Sequence, residues 1–309
     1  MHLVFSGYSR TLYFKTCLDS IKDQITDQDV SLVLDGPCTD IGVQQNINLF
    51  INTFKHRYPN IEKRIHTSPV KIWHDANIIN AFNVGFETSD SDYMIFIEDD
   101  MKFHPMFIQQ MNFLWKFVKE RDDIATFSCF SHTPIYWQDE KIIKYKNHLV
   151  AQHHQCATGI SRRFYNNVLR FLMVEYLIHI TIKYNAYDLA QYIKEYLENK
   201  YQIYTGQPGS WDLYYASIAN KLGYYRVSTS SNYLCHIGEY GINTNSSNYI
   251  SNRWGELCER PIFKNNQLIE QFIFEKNYEG FIRSLYDFQG KNWEDDLNKA
   301  LNLDSVIRY

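Results

Sequence analysis

Apolar residues along the first hundred positions follow two alternating rhythms. Short continuous runs at 3–5 and 30–34 read as strands buried on both faces. Between such runs the spacing changes. Phe14, Cys17, Leu18, Ile21 and Ile25 recur at three- and four-residue intervals, as do Val43, Ile47, Phe50, Ile51 and Phe54, and then Ile78, Ile79, Phe82 and Phe86. Each set marks one face of an amphipathic helix. A third strand is expected near 61–66 and a fourth over 93–97. Strands separated by helices at this spacing predict right-handed βαβ units, an α/β fold with a mostly parallel sheet flanked by helices.

The second half is less regular. Residues 106–118 read as a helix and 125–130 as a further strand. A helical insertion is expected over about 164–204, with an apolar and aromatic face of Val168, Phe171, Leu172, Tyr176, Ile180, Leu189, Ile193 and Leu197. That face suits core or interface packing better than a membrane surface, and peripheral membrane contact stays as the alternative. Residues 263–309 read as a charged helical extension with apolar stripes. There is no internal repeat and no low-complexity linker.

Composition narrows the function classes. Lys plus Arg number 31 and Asp plus Glu 35, a slightly negative balance that weighs weakly against non-specific binding to a nucleic-acid backbone. Tyrosine (24) and phenylalanine (20) would suit sugar recognition, but an AT-rich genome gives the same bias, so they decide nothing. Cys17, Cys38, Cys129, Cys156, Cys235 and Cys258 lie far apart with no CxxC pair. They read as reduced, buried thiols, neither a zinc site nor a disulfide framework. The amino terminus has no basic and apolar leader pattern, and no stretch approaches the roughly 20 apolar residues of a membrane span. A cytoplasmic protein is expected.

The chemistry concentrates where the fourth strand ends. Tyr93-Met94-Ile95-Phe96-Ile97 runs directly into Glu98-Asp99-Asp100. Three adjacent carboxylates repel one another and raise each other's pKa unless a cation neutralises them. A divalent ion such as Mg2+ or Mn2+ would supply that charge and share its shell with a phosphate group. An acidic strand-to-turn junction in water is the simpler alternative. Residues 6–10 and Asp35, in the turn Asp35-Gly36-Pro37, fall at the same carboxyl edge, where ligands of parallel sheets gather.

These residues carry a resemblance. The stretch from His74 to Phe86, with Ala76, Asn77, Asn80, Ala81, Asn83 and Gly85, followed by Ser91-Asp92 and the strand ending Glu98-Asp99-Asp100, resembles the nucleotide-sugar half of GT-A glycosyltransferases with their DXD-type acidic motif. Gly7-Tyr8-Ser9-Arg10 before Leu18-Asp19-Ser20-Ile21 is similar to that family's first strand and helix. The resemblance covers 1–130 well and 205–245 in patches. It implies a catalytic domain over 1–262, with a donor half at 1–130 and an acceptor half at 131–262 bearing the insertion.

It further implies a nucleotide-diphosphate sugar as donor, more often a UDP-sugar, Mn2+ or Mg2+ as cofactor, and a glycan, glycolipid or other hydroxyl-bearing acceptor, with inversion. Ser6, Tyr8, Arg10, Asp35, Asn83, Glu98 and Asp99 would then bind the donor. Asp100 would hold the metal bridging the diphosphate, as a cleft carboxylate exposed to solvent. Asp35 serves equally as a turn residue capping its own backbone.

Two later features join this set. Gly209-Ser210-Trp211-Asp212 precedes a helical run at 213–222, so Asp212 falls near a helix start. An acidic residue in a similar place takes the acceptor's proton in inverting members of the family, and an N-cap role suits the position as well. Cys235-His236-Ile237-Gly238 resembles the family's late histidine loop, where His236 would join the metal shell or contact the diphosphate; a structural histidine is the plain alternative. Arg253 and Trp254 follow with no role assigned. His132, His153 and His154 lack metal-ligand spacing, and the sequon Asn245-Ser246-Ser247 has no meaning in a cytoplasmic protein. Two other classes remain: a catalytically silent carbohydrate-binding or scaffold domain, and a sugar nucleotidyltransferase, for which the loop at 7–10 is a poor phosphate loop.

Overall fold

The computed structural model describes residues 1–130, 149–151, 157–182, 186–204, 210–229 and 233–238. Strand β1 (His2–Gly7) leads through α1 (Thr11–Ile21) to β2 (Asp29–Leu34), then through α2 (Ile41–Phe54) to β3 (Ile65–Thr67), and through α3 (His74–Glu87) to β4 (Tyr93–Glu98). A short β5 (Met101–Phe103) and α4 (Phe107–Val118) precede β6 (Ile124–Ser128), β7 (Leu149–Ala151) and β8 (Thr158–Ser161). The insertion contains α5 (Arg170–Ile182) and α6 (Ala186–Tyr196); α7 (Trp211–Lys221), β9 (Tyr225–Thr229) and β10 (Leu234–His236) follow.

Eight strands form one sheet in the order β3-β2-β1-β4-β8-β6-β9-β7. The first four are mutually parallel, as is the β6–β9 pair, while β8 runs antiparallel between β4 and β6 and β7 antiparallel to β9. The expected mostly parallel α/β sheet is therefore present. Its continuous apolar strands reflect burial on both faces. Leu3 and Phe5 pack with Phe14, Phe50 and Phe54 of α1 and α2, while Val4, Met94 and Phe96 pack on the other face with Phe82 of α3 and Trp211 of α7. Gly159 at the centre of β8 has no room for a side chain, since a Cβ there would lie 2.4 Å from the Phe127 ring.

Register places the chemistry. Gly7 pairs with Leu34 and Ser6 with Glu98, so the carboxyl ends of β1, β2 and β4 share one edge of the sheet. β10 pairs antiparallel with β5, setting His236 against Met101, and the Ile237 N–H donates to the Asp100 carbonyl (2.8 Å). A segment more than a hundred residues downstream is thereby brought to the acidic triplet.

Four sequence expectations change. The strand expected near 61–66 is mostly a 3-10 turn, Ile61–Arg64, with β3 only three residues long; Arg64 instead turns its guanidinium to Asp29 (2.9 Å). Phe171, expected on the packed face of the insertion, is exposed with Arg170 stacked over its ring (4.8 Å). The face that packs carries Leu172, Met173 and Tyr176, while Val174, Ile178 and Ile182 share the exposed side with Phe171. Cys38, just past the β2 turn, is exposed, whereas Cys17 and Cys129 are buried. The N-cap of α7 is Ser210, so Asp212 stands one residue inside the helix. Among the described residues no helix is long and apolar enough to cross a membrane. His132, His153, His154, the sequon, Arg253, Trp254 and the extension at 263–309 lie outside the described residues.

Candidate functional site

The cation that answers the acidic triplet in this structure is Arg10. Its guanidinium pairs with Asp99 and lies 2.9 Å from Asp100 Oδ2, joining the ends of β1 and β4. Both aspartates are buried, so Asp100 is not the solvent-exposed cleft carboxylate expected from the sequence. A buried carboxylate must be paired, and one arginine serves two of them.

The three carboxylates differ in electrostatic state. Burial and the charges of Asp100 and Asp99 push Glu98 well above the ordinary glutamate range. Burial also raises Asp99, to about 6, against the pull of Arg10. For Asp100 burial is outweighed by His236, in its charged form only, and by Arg10, whose guanidinium is always charged; the carboxyl is held below the usual carboxylate value. Asp100 is thus kept anionic, and its Oδ1 is buried with no hydrogen-bond partner.

His236 Nε2 stands 3.5 Å from Asp100 Oδ2, and its Nδ1 accepts the Gly238 N–H (3.3 Å). Burial lowers the imidazole pKa, which favours the neutral ring. Gly238 is fixed by contact, because a Cβ would sit 2.2 Å from Asp100 Oδ2.

A divalent ion can be tested against this donor set. Asp100 offers an unpartnered oxygen and His236 a neutral imidazole, which suits Mn2+ and is less favoured by Mg2+. No group of three His, Cys, Asp or Glu side chains is arranged around one point among the described residues. Two protein donors completed by phosphate oxygens and water is a common way to bind such ions, so the residues fit a metal held jointly with a substrate diphosphate. Arg10 would have to yield part of its hold on Asp100.

The other expected residues divide into two groups. Ser6 Oγ accepts from Asn77 Nδ2 (3.0 Å) and Tyr8 O–H donates to Asp40 (3.0 Å), both beside the cluster. Asp35 is buried at the end of β2, where its Oδ1 accepts the Ile72 N–H (2.7 Å) and ties down the loop before α3. That loop brings Lys71 to 4.5 Å over the Tyr8 ring and 5.9 Å from Trp73, which is 70% exposed and held at φ 75°. Asp212, in the first turn of α7, is close enough that its charge acts on both Glu98 and Asp75. Asn83 is not brought to the cluster: it lies more than two turns along α3, where its Oδ1 accepts the Tyr165 O–H (3.0 Å).

Sequence reasoning assigned no role to His74, Asp75, Lys71 or Trp73. His74 Nε2 is 3.9 Å from Glu98 Oε1, and Asp75 Oδ2 accepts from Tyr176 and from the Trp211 backbone. The only available signal was a run of polar residues opening an otherwise apolar helix.

No protein-family model matches the sequence, and no curated protein does. Among solved structures, the chain is similar to residues 1–349 of TarS from S. aureus at 11% identity and TM-score 0.40, covering 77% of this chain and 60% of that one. It is also similar to the mannosyltransferase PcManGT from Pyrobaculum calidifontis, solved with GDP-Man and Mn2+, at 12% identity and TM-score 0.35 over 54% of this chain and 46% of that one. The galactosyltransferase LgtC, solved with donor and acceptor sugar analogues, gives 12% identity and TM-score 0.35 over 74% and 73%. The chain spans about 60% of the TarS fragment's length. At these scores none of the likenesses bears on function.

Proposed function

We propose that this chain is a metal-dependent glycosyltransferase of the GT-A kind, moving a sugar from a nucleotide-diphosphate donor, a UDP-sugar by preference, to an acceptor hydroxyl with inversion. The observation that carries the reading is Asp100: buried, kept anionic, with a free oxygen beside a neutral histidine at the carboxyl edge of a parallel sheet. Most buried polar side-chain atoms find a partner, so an anionic oxygen left without one supports a ligand role.

In this reading Asp100 and His236 hold the ion, and Tyr8, Asp35, Lys71 and Trp73 border the base and ribose. A bound divalent ion supplies positive charge to the departing diphosphate. Arg10 stays beside that diphosphate after loosening from Asp100 and adds a second positive charge. Asp212 accepts the proton of the acceptor hydroxyl as its oxygen bonds to the anomeric carbon. The bond from that carbon to the diphosphate oxygen breaks in the same step, and the nucleoside diphosphate leaves with the electron pair.

The test is release of nucleoside diphosphate from UDP-glucose, UDP-N-acetylglucosamine and GDP-mannose, with Mn2+ and with EDTA. The expected result is metal-dependent release from one donor. Release from none in either condition would favour the silent carbohydrate-binding alternative.

A further inference from the structure

Helix α7, which carries Asp212, starts without a cap of its own. Its N-cap residue Ser210 makes no side-chain hydrogen bond to the first turn, although the opening N–H groups of a helix need partners. The Trp211 N–H is satisfied from elsewhere: it donates to Asp75 Oδ2 (3.2 Å), 136 residues earlier in the chain. The same oxygen accepts the Tyr176 O–H (2.5 Å) from α5. The Tyr176 ring in turn packs edge-on against Trp211 (5.3 Å), and the indole is wholly buried. One carboxylate in the first turn of α3 therefore joins three helices at the residue preceding Asp212.

From this geometry we infer that Asp75 is the positioning residue for Asp212: it caps α7 from outside and so fixes where the Asp212 carboxylate stands relative to the acidic cluster. The inference rests on the proposed base role of Asp212. Asp75 touches no reacting atom in it. Its carbonyl-type oxygen, not its charge, is what the cap requires, so asparagine retains the function and alanine loses it.

Turnover of the donor that wild type uses, measured for Asp75→Ala and Asp75→Asn, tests this. Asp75→Ala is expected to lower kcat about 10- to 100-fold, the effect of a misplaced catalytic group, with donor KM unchanged. Asp75→Asn is expected to restore kcat to within a few-fold of wild type. Equal kcat in Asp75→Ala and wild type would overturn the inference, as would an Asp75→Asn variant as impaired as Asp75→Ala. If Asp75→Ala fails to fold, Asp75→Ser, whose shorter hydroxyl falls away from the Trp211 N–H, takes its place; a lowered kcat at constant KM supports the inference and a wild-type kcat overturns it.

Hydrogen exchange at the Trp211 amide tests the cap without turnover. It should quicken in Asp75→Ala and not in Asp75→Asn, and a protected amide in Asp75→Ala would overturn the cap. Asp212→Asn run in parallel keeps the two claims apart. Wild-type turnover in that variant would remove the base role, and with it this inference, while the cap measured by exchange stood.

Discussion

Asp100→Asn is expected to lower sugar transfer about 10³-fold, the scale of removing a principal electrostatic stabiliser from a buried site. Asparagine keeps the size of the side chain but is a poor ligand for a hard cation, and it takes away the negative charge that Arg10 sustains at this position. The fold should survive. Arg10 retains Asp99 as its partner, so no buried charge is left unpaired and stability should change by no more than about 1–2 kcal/mol. Thermal unfolding and turnover measured together decide the matter. Wild-type-like turnover in a folded Asp100→Asn protein would remove the metal assignment.

The second large effect concerns Asp212. Its replacement by Asn should reduce turnover about 10²- to 10⁴-fold, the range for losing a positioned general base. Donor binding should stay nearly unchanged, because Asp212 lies in the first turn of α7 while the proposed donor contacts lie at the ends of β1, β2 and β4 and on the loop before α3. The amide still complements the helix start, and Asp75 still caps it, so local structure should hold. Separate measurement of donor KM and kcat checks this. Weakened donor binding with normal turnover would argue that Asp212 is a binding residue.

Both predictions depend on parts of the molecule that were unequally legible in the sequence. The βαβ half could be read because its strands are buried on both faces and its helices on one, so period and run length gave β1, β2, β4 and α1 to α3 within a few residues. The acidic triplet and residues 6–10 fell on the same edge because that edge follows from the parallel topology. The weak β3 could not be anticipated, since charged Glu62, Lys63 and Arg64 interrupt the apolar run and Arg64 is spent on Asp29.

Arg10 illustrates a deeper limit. Three carboxylates called for a cation, and sequence alone pointed to a metal. The guanidinium that meets two of them comes from 89 residues before Asp99, across the β1–β4 pairing. The cap of α7 by Asp75 spans 136 residues and leaves no local pattern. The antiparallel β8, which separates β4 from β6, likewise depends on a long-range pairing that no periodicity encodes. Asn83 shows the converse case, in which a residue within the right motif lies on the wrong turn of the helix and bonds to Tyr165.

The measurement that bears most directly on the acidic site is calorimetric binding of UDP, GDP, CDP and ADP, each with Mn2+ and with EDTA, to wild type and to Asp100→Asn. The account predicts that one diphosphate binds wild type with Mn2+, that EDTA abolishes the heat, and that Asp100→Asn shows none in either condition. Binding of no diphosphate, or equal binding with EDTA and with Mn2+, would contradict it.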